Sequence, residues 1–77
     1  MLPAPRSRAL IACQVQFGPG RTWTDRTYEV RLVANDGDPY WQIDLGEGPP
    51  VRRASWDDVL DWLRIMAPRD LELVEVP

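Results

Sequence analysis

Residues 55–67 form the segment that most constrains the fold, because their apolar residues recur with the period of a helix. At about 100° per residue, one apolar stripe lies within about 80° of Trp56. Its other members are Val59, Leu60, Leu63, Met66 and Ala67. Ser55 is a favourable N-cap, and Pro68 cannot continue a helix, so both ends are defined. One such helix needs a sheet to cover its apolar stripe.

Alternating apolar residues predict the strands of that sheet. From Arg8 to Phe17 every second residue is apolar, and Gln14 and Gln16 lie on the opposite face. A second strand is predicted over residues 27–34, after a break at Gly18-Pro19-Gly20 and a loop over residues 21–26. A short last strand is predicted from Leu71 to Val76.

Asp36-Gly37 predicts a hairpin with a two-residue type I′ turn between the second and third strands. This turn sets a register in which the apolar residues of both strands share one face, whereas a slip of one residue would oppose them to polar residues. The predicted pairs are Leu32–Trp41, Val30–Ile43 and Tyr28–Leu45.

The predicted fold class is therefore α+β in the order β-β-β-α-β: an antiparallel three-stranded meander, one amphipathic helix packed on a single face, and a short C-terminal strand. Residues 46–50 are predicted to be a loop, and Val51–Ala54 to lead into the helix. Residues 1–77 are predicted to form a single small domain, with residues 1–7 as a loose N-terminal arm. The pattern leaves open whether the last strand lies beside the first or the third.

Composition excludes several function classes. With no histidine and one cysteine, the usual ligand sets for zinc, copper and haem are missing, as is His-based catalysis. We therefore expect no enzyme, no cofactor and no metal. Cys13 is predicted to be a small buried side chain, and a single cysteine fits a reducing compartment. No apolar run approaches the roughly 20 residues of a membrane span, so a cytoplasmic protein is expected.

The net charge of −3 is unevenly distributed, and every basic residue is an arginine. Residues 1–34 carry five arginines and two acids, whereas residues 35–77 carry four arginines and ten acids. In the predicted loop, Trp23 lies between Arg21 and Arg26, a composition typical of interface hot spots. The same residues could stack on bases and hold phosphates. The structural alternative is that Trp23 caps the core while the arginines are solvated.

The helix supplies a second candidate surface, formed by Asp57, Asp58, Asp61 and Trp62. Asp57 and Asp61 are four residues apart and repel each other, a cost that a basic partner would convert into attraction. Trp62 lies at the edge of the apolar stripe, and Ile65 lies opposite it, where it faces solvent or a partner. The structural alternative is a solvated face whose acids complement the helix dipole.

These features predict a non-enzymatic protein-binding module, a small regulatory or inhibitory protein of the kind that phages and bacteria encode. Its partner-binding residues are predicted to be Arg21, Trp23, Arg26, Asp57, Asp58, Asp61 and Trp62. The alternative is weak nucleic-acid binding through the arginine-rich N-terminal half, with Trp23 as a stacking platform. The negative net charge argues against that alternative. A homodimer is compatible with either function.

Overall fold

The structure, a computed structural model, describes residues 2–17, 20, 22–34 and 36–76. The described chain forms one helix, α1 (Trp56–Ile65), and the strands β1 (Arg8–Phe17), β2 (Thr22–Val33), β3 (Tyr40–Asp44), β4 (Val51–Arg53) and β5 (Arg69–Glu75). The strands form an antiparallel sheet in the order β4-β3-β2-β1-β5. The helix packs on one face, called the inner face here, and the opposite face is the outer face. The predicted α+β class is confirmed.

α1 is the predicted helix with the predicted N-cap, Ser55, but it ends at Ile65, two residues before the predicted end at Ala67. Ser55 is extended, with φ −138°, and its Oγ accepts a hydrogen bond from the Asp58 N–H at 3.2 Å. At the other end Ala67 adopts φ +47° immediately before Pro68, a left-handed residue that ends the helix. The buried side of α1 consists of Val59, Leu60 and Leu63.

Replacing Ser55 with alanine should lower the free energy of unfolding by about 1 kcal/mol, because the Asp58 N–H loses its acceptor. Ser55→Asp is the matched control, since aspartate is an equally good N-cap and should preserve stability. Urea unfolding followed by circular dichroism measures both. Equal midpoints for the wild type and Ser55→Ala would show that the cap contributes nothing.

The core lies between α1 and the inner face of β1, β2 and β3. Ile11, Val30 and Ile43 are completely buried there. Trp41 packs edge-on against Trp56 of α1, with 5.0 Å between ring centroids. Cys13 lies in the same cluster and is 4% exposed, which confirms the prediction of a small buried side chain.

The register predicted for the β2–β3 hairpin is confirmed, but its turn type is wrong. Leu32 pairs with Trp41 and Val30 with Ile43; the ladder ends at Asp44, so the predicted Tyr28–Leu45 pair lies beyond it. At the turn, the last pair is Val33–Tyr40, which leaves residues 34–39 as the connection. Gly37 does not adopt the positive φ of a type I′ turn.

The loop predicted over residues 21–26 is wrong, because β2 begins at Thr22. Residues 22–26 pair with residues 13–17 of β1 and extend the first hairpin. Threonine and tryptophan favour extended backbone. Thr22, Trp23 and Thr24 therefore begin a strand that runs without a break through Tyr28 to Val33. Residue-type preference therefore prevailed over the mixed polar pattern that suggested a loop.

The two outer strands complete the sheet. β4 was not predicted: Val51–Arg53 forms a three-residue strand beside β3, in place of a simple lead into α1. β5 begins at Arg69 and pairs with β1, so the last strand lies beside the first strand and not beside the third. Between the pairs Gln14–Arg69 and Ala12–Glu72, β5 contains one extra residue, and Asp70 adopts φ +55° at this bulge.

Residues 2–7, which the sequence predicts to be a loose arm, lie on the body of the domain. Leu2 packs against the core, Pro5 is buried, and the Leu2 carbonyl accepts a hydrogen bond from Trp56 Nε1 at 3.0 Å. The Ser7 carbonyl accepts from the Leu32 N–H at 2.7 Å. Within the described residues, no helix is long and apolar enough to cross a membrane.

Candidate functional site

The predicted partner-binding residues do not form one cluster. Arg21 lies outside the described residues. Trp23 lies on the outer face of the sheet. It is five positions from the buried Tyr28 on the same strand, and side chains an odd number of positions apart point to opposite faces. Arg26 lies on the inner face, is exposed, and pairs with Cys13. The three aspartates and Trp62 belong to α1, so the sheet separates them from Trp23.

Trp23 is half-buried beneath a charged side chain of the same molecule. The Arg69 guanidinium lies 4.0 Å from the Trp23 ring centroid, a cation–π contact. Arg69 Nε donates to Gln14 Oε1 at 2.9 Å, and Gln14 Nε2 donates to Asp25 Oδ1 at 2.9 Å. These contacts join the start of β5 to the β1–β2 hairpin. One face of the indole is therefore already occupied, and Trp23 lies neither on the core nor open on that face.

The acidic residues of α1 are exposed, as a surface site requires. Asp57 and Asp58 lie in the first turn, and Asp61 accepts a hydrogen bond from Arg64 Nη1 at 2.9 Å. Both side chains of this pair are about two-thirds exposed, so it contributes little to stability. Ile65 is 82% exposed, in agreement with its predicted position opposite the apolar stripe.

Trp62 packs against the core and lies to one side of the acidic residues of α1. Its ring packs edge-on against buried Tyr28, with 5.5 Å between centroids. The indole is half-buried, as expected at the edge of the stripe. By helical position it lies about 100° from Asp61, on the opposite side of α1 from Arg64. A single contact surface containing both Trp62 and Asp61 would have to wrap around the helix.

Sequence reasoning missed an apolar groove of about 480 Å³ between α1, the N-terminal segment and β5. This α1–β5 groove is lined by Leu2, Leu60, Leu63, Arg64, Ala67, Pro68 and Leu71. It exists because a helix about 10 Å wide cannot cover five strands spaced about 4.8 Å apart. The groove was hidden from the sequence because it depends on where β5 and Leu2 lie.

Negative charge is concentrated on the elements that border the groove. By helical position, Asp57 and Asp61 lie on the same side of α1 as Arg64, which lines the groove. Residues 55–77 carry six carboxylates and two arginines, whereas residues 1–54 carry six carboxylates and seven arginines. The groove is thus apolar inside and bordered by the acidic part of the molecule. Among the described residues, Arg64 is the one charged residue of its lining, and two of the predicted site residues, Asp57 and Asp61, share that side of α1 by helical position.

No family model, curated protein or solved structure matches this chain. A function must therefore be argued from its own side chains. Among the described residues, no group of three or more Cys, Asp or Glu side chains is arranged to hold a metal ion.

Burial raises the pKa of two groups in the core. It raises the pKa of the Cys13 thiol above 9.0, so this thiol is protonated at neutral pH and is a poor nucleophile. Burial also raises the pKa of the Tyr28 hydroxyl; an ionised Cys13 would raise this pKa further, and the Arg26 guanidinium lowers it. Both groups are therefore uncharged at neutral pH.

The free energy of unfolding should decline as the pH rises above about 9. The unfolded chain releases the Cys13 proton first, so the stabilisation is complete below the unfolded pKa and is lost as pH rises through the folded one. Urea unfolding at pH 7, 9 and 10 measures the decline, which Cys13→Ala should make shallower. An equally steep decline in that variant would assign the effect to other groups.

Proposed function

We propose that this protein is a non-enzymatic protein-binding module whose partner occupies the α1–β5 groove. It would act as a small regulatory or inhibitory protein, through surface contacts and in the cytoplasm. The observation that carries the proposal is an open apolar groove, on a domain this small, between two elements whose segment of the chain has a net negative charge. Such a groove offers an apolar centre and a charged rim, the anatomy of protein interfaces.

The chemistry of the groove favours a polypeptide with apolar and basic side chains. Leu2, Ala67 and Leu71 offer apolar surface for aliphatic side chains to bury. Asp57 and Asp61 would attract positive charge at the rim, which accelerates encounter and selects against acidic partners. Basic partners therefore fit this surface better than neutral or acidic ones.

Nucleic acid is less well supported as the partner. The stacking role suggested for Trp23 would compete with Arg69, which already covers one face of its ring. Residues 55–77, which include α1 and β5, carry six carboxylates and two arginines, so this part of the molecule repels phosphates. The arginines of the N-terminal half are the remaining support for that alternative.

Charge reversal at the rim should weaken partner capture. We expect Asp61→Arg to lower affinity about tenfold or more, mainly by slowing association, because the rim then repels a basic partner. Asp36→Arg is the matched control, since it makes the same charge change at an exposed residue of the β2–β3 connection. Asp61→Arg should unfold at the wild-type temperature, because the Asp61–Arg64 pair is exposed and contributes little to stability. Asp36→Arg should do the same, because Asp36 is exposed.

Affinity capture from a lysate of the source organism, at low salt and with nuclease, compares the three proteins. Retention of one protein by the wild type and Asp36→Arg, together with its loss by Asp61→Arg, is the expected result. Equal loss in both variants would mean that net charge, rather than the groove, determines capture. Capture that disappears with nuclease would favour nucleic acid instead.

A further inference from the structure

We infer that the partner contributes an extended segment that adds to the open edge of β5 as a further strand, with the pattern basic–apolar–apolar–basic. This inference rests on the proposed function, because it specifies what enters and borders the same groove. β5 is the last strand on its side of the sheet among the strands that the structure describes. Strand addition to such an edge is a common form of peptide recognition.

The backbone of β5 presents hydrogen-bonding groups along this edge. The Val76 N–H donates to the Arg8 carbonyl at 3.0 Å, so Val76 is directed toward β1. Because directions alternate in an antiparallel pair, Glu72 and Val74 also point toward β1. The N–H and C=O groups of Leu73 and Glu75 therefore point toward the open edge, where a further strand would meet them.

The side chains of β5 specify the pattern of the added strand. Leu73 and Glu75 lie on the inner face, and Glu72 and Val74 lie on the outer face. Residues directly opposite each other on neighbouring strands share a face and contact each other. An added strand therefore matches β5 best when it places basic residues opposite Glu72 and Glu75 and apolar residues opposite Leu73 and Val74. This pattern reads the same in both directions, so it holds for parallel and antiparallel addition.

The apolar matches have surface to bury. Val74 is 49% exposed on the outer face, next to Leu10, which is 37% exposed and pairs with it. On the inner face the residue opposite half-buried Leu73 would lie beside Leu71, which lines the α1–β5 groove. One added strand would therefore cover the outer apolar patch and place an apolar side chain at the β5 side of the groove.

The charged matches have free acceptor capacity. Glu72 is exposed, and the Glu75 carboxylate accepts one hydrogen bond, from the Arg6 N–H at 2.6 Å. A carboxylate has about four acceptor sites, so Glu75 can also bind a lysine or arginine. The same acids disfavour pairing with a second copy of this chain in the registers centred on Glu72 or Glu75, where like charges would meet. The other outer strand, β4, is three residues long and carries two adjacent arginines, features that protect an edge.

A synthetic peptide containing Lys-Leu-Val-Lys within a threonine-rich sequence tests this inference by NMR titration of the full chain. We expect amide shift changes at residues 72–75 and at the groove. Two further peptides carry N-methyl groups on alternate residues, one along each edge of the extended peptide. Only one should lose binding, because only one edge of an added strand faces β5.

Charge is tested with a Glu-Leu-Val-Glu peptide and with Glu72→Lys. The acidic peptide should not bind, and Glu72→Lys should weaken binding of the basic peptide about threefold to tenfold. Asp38→Lys, at an exposed residue before β3, is the matched control and should bind as the wild type does.

The inference is overturned if the basic peptide does not bind, or if both N-methylated peptides bind equally well or equally poorly. It is also overturned if sedimentation shows a dimer whose interface maps to β5, which would assign the edge to a second copy. A partner whose capture depends on Asp61 but that leaves the β5 amides unchanged would overturn strand addition and leave the proposed function standing. The two failures are therefore distinguishable.

Discussion

Replacing Trp41 with alanine should remove about 3–5 kcal/mol of stability, the largest effect expected of a single substitution here. Trp41 is 7% exposed and packs against Trp56, so it connects β3 to the only helix of the described chain. A domain of this length has a total stability of about 4–12 kcal/mol. The variant should therefore lose a large part of its free energy of unfolding and melt more than about 10 °C below the wild type.

Trp23→Ala is the matched control, because it deletes the same side chain from the outer face. Trp23 is half-buried and contacts Arg69, which has its own hydrogen bond to Gln14. A loss near 1 kcal/mol is expected, as for other partly exposed cation–π contacts. Thermal unfolding by circular dichroism compares the two variants. Equal losses in both would mean that the outer face contributes as much as the core.

Features set by local periodicity could be predicted from the sequence. The helix was predictable because its stripe, the Ser55 cap and Pro68 all indicate the same segment. The β2–β3 register was predictable because only one alignment places Val30 opposite Ile43 on a shared apolar face. Neither required knowledge of distant parts of the chain.

Features that depend on distant pairing could not be predicted. Leu73 and Val74 are adjacent apolar residues, so the inner face of β5 became clear only from its pairing with β1. The start of β2 was missed because its outer-face partners are the polar Gln14 and Gln16, which give no apolar signal. The three-residue β4 is shorter than any periodic pattern can indicate.

The candidate site was predictable only in part for the same reason. The sequence shows the acidic residues of α1 as an unfavourable spacing of like charges. It does not show which surface lies next to them. The groove needs Leu71 from β5 and Leu2 from the N-terminal segment, which are 69 positions apart in sequence and meet only in the fold. The β1–β5 pairing that places Leu71 there also leaves the edge of β5 open.

Deleting residues 2–5 should lower the free energy of unfolding by about 2–4 kcal/mol, which a loose arm would not do. The deletion removes the packing of Leu2 on the core and the burial of Pro5, a loss of about 1–3 kcal/mol. It also removes the carbonyl that accepts the Trp56 Nε1–H, a loss of about 1 kcal/mol. Urea unfolding, with the emission maximum of the tryptophans as a second readout, measures the change.

Ala4→Ser is the matched control for this deletion, because Ala4 lies in the same segment and is exposed. It should leave both the unfolding midpoint and the emission maximum unchanged. The intermediate variant Leu2→Ala should lose the packing but keep its carbonyl, and so fall between the control and the deletion. Because Leu2 also lines the α1–β5 groove, Leu2→Ala should weaken binding of the basic peptide under conditions where the domain remains folded. An unchanged affinity in that variant would separate the N-terminal segment from the binding surface and confine its role to stability.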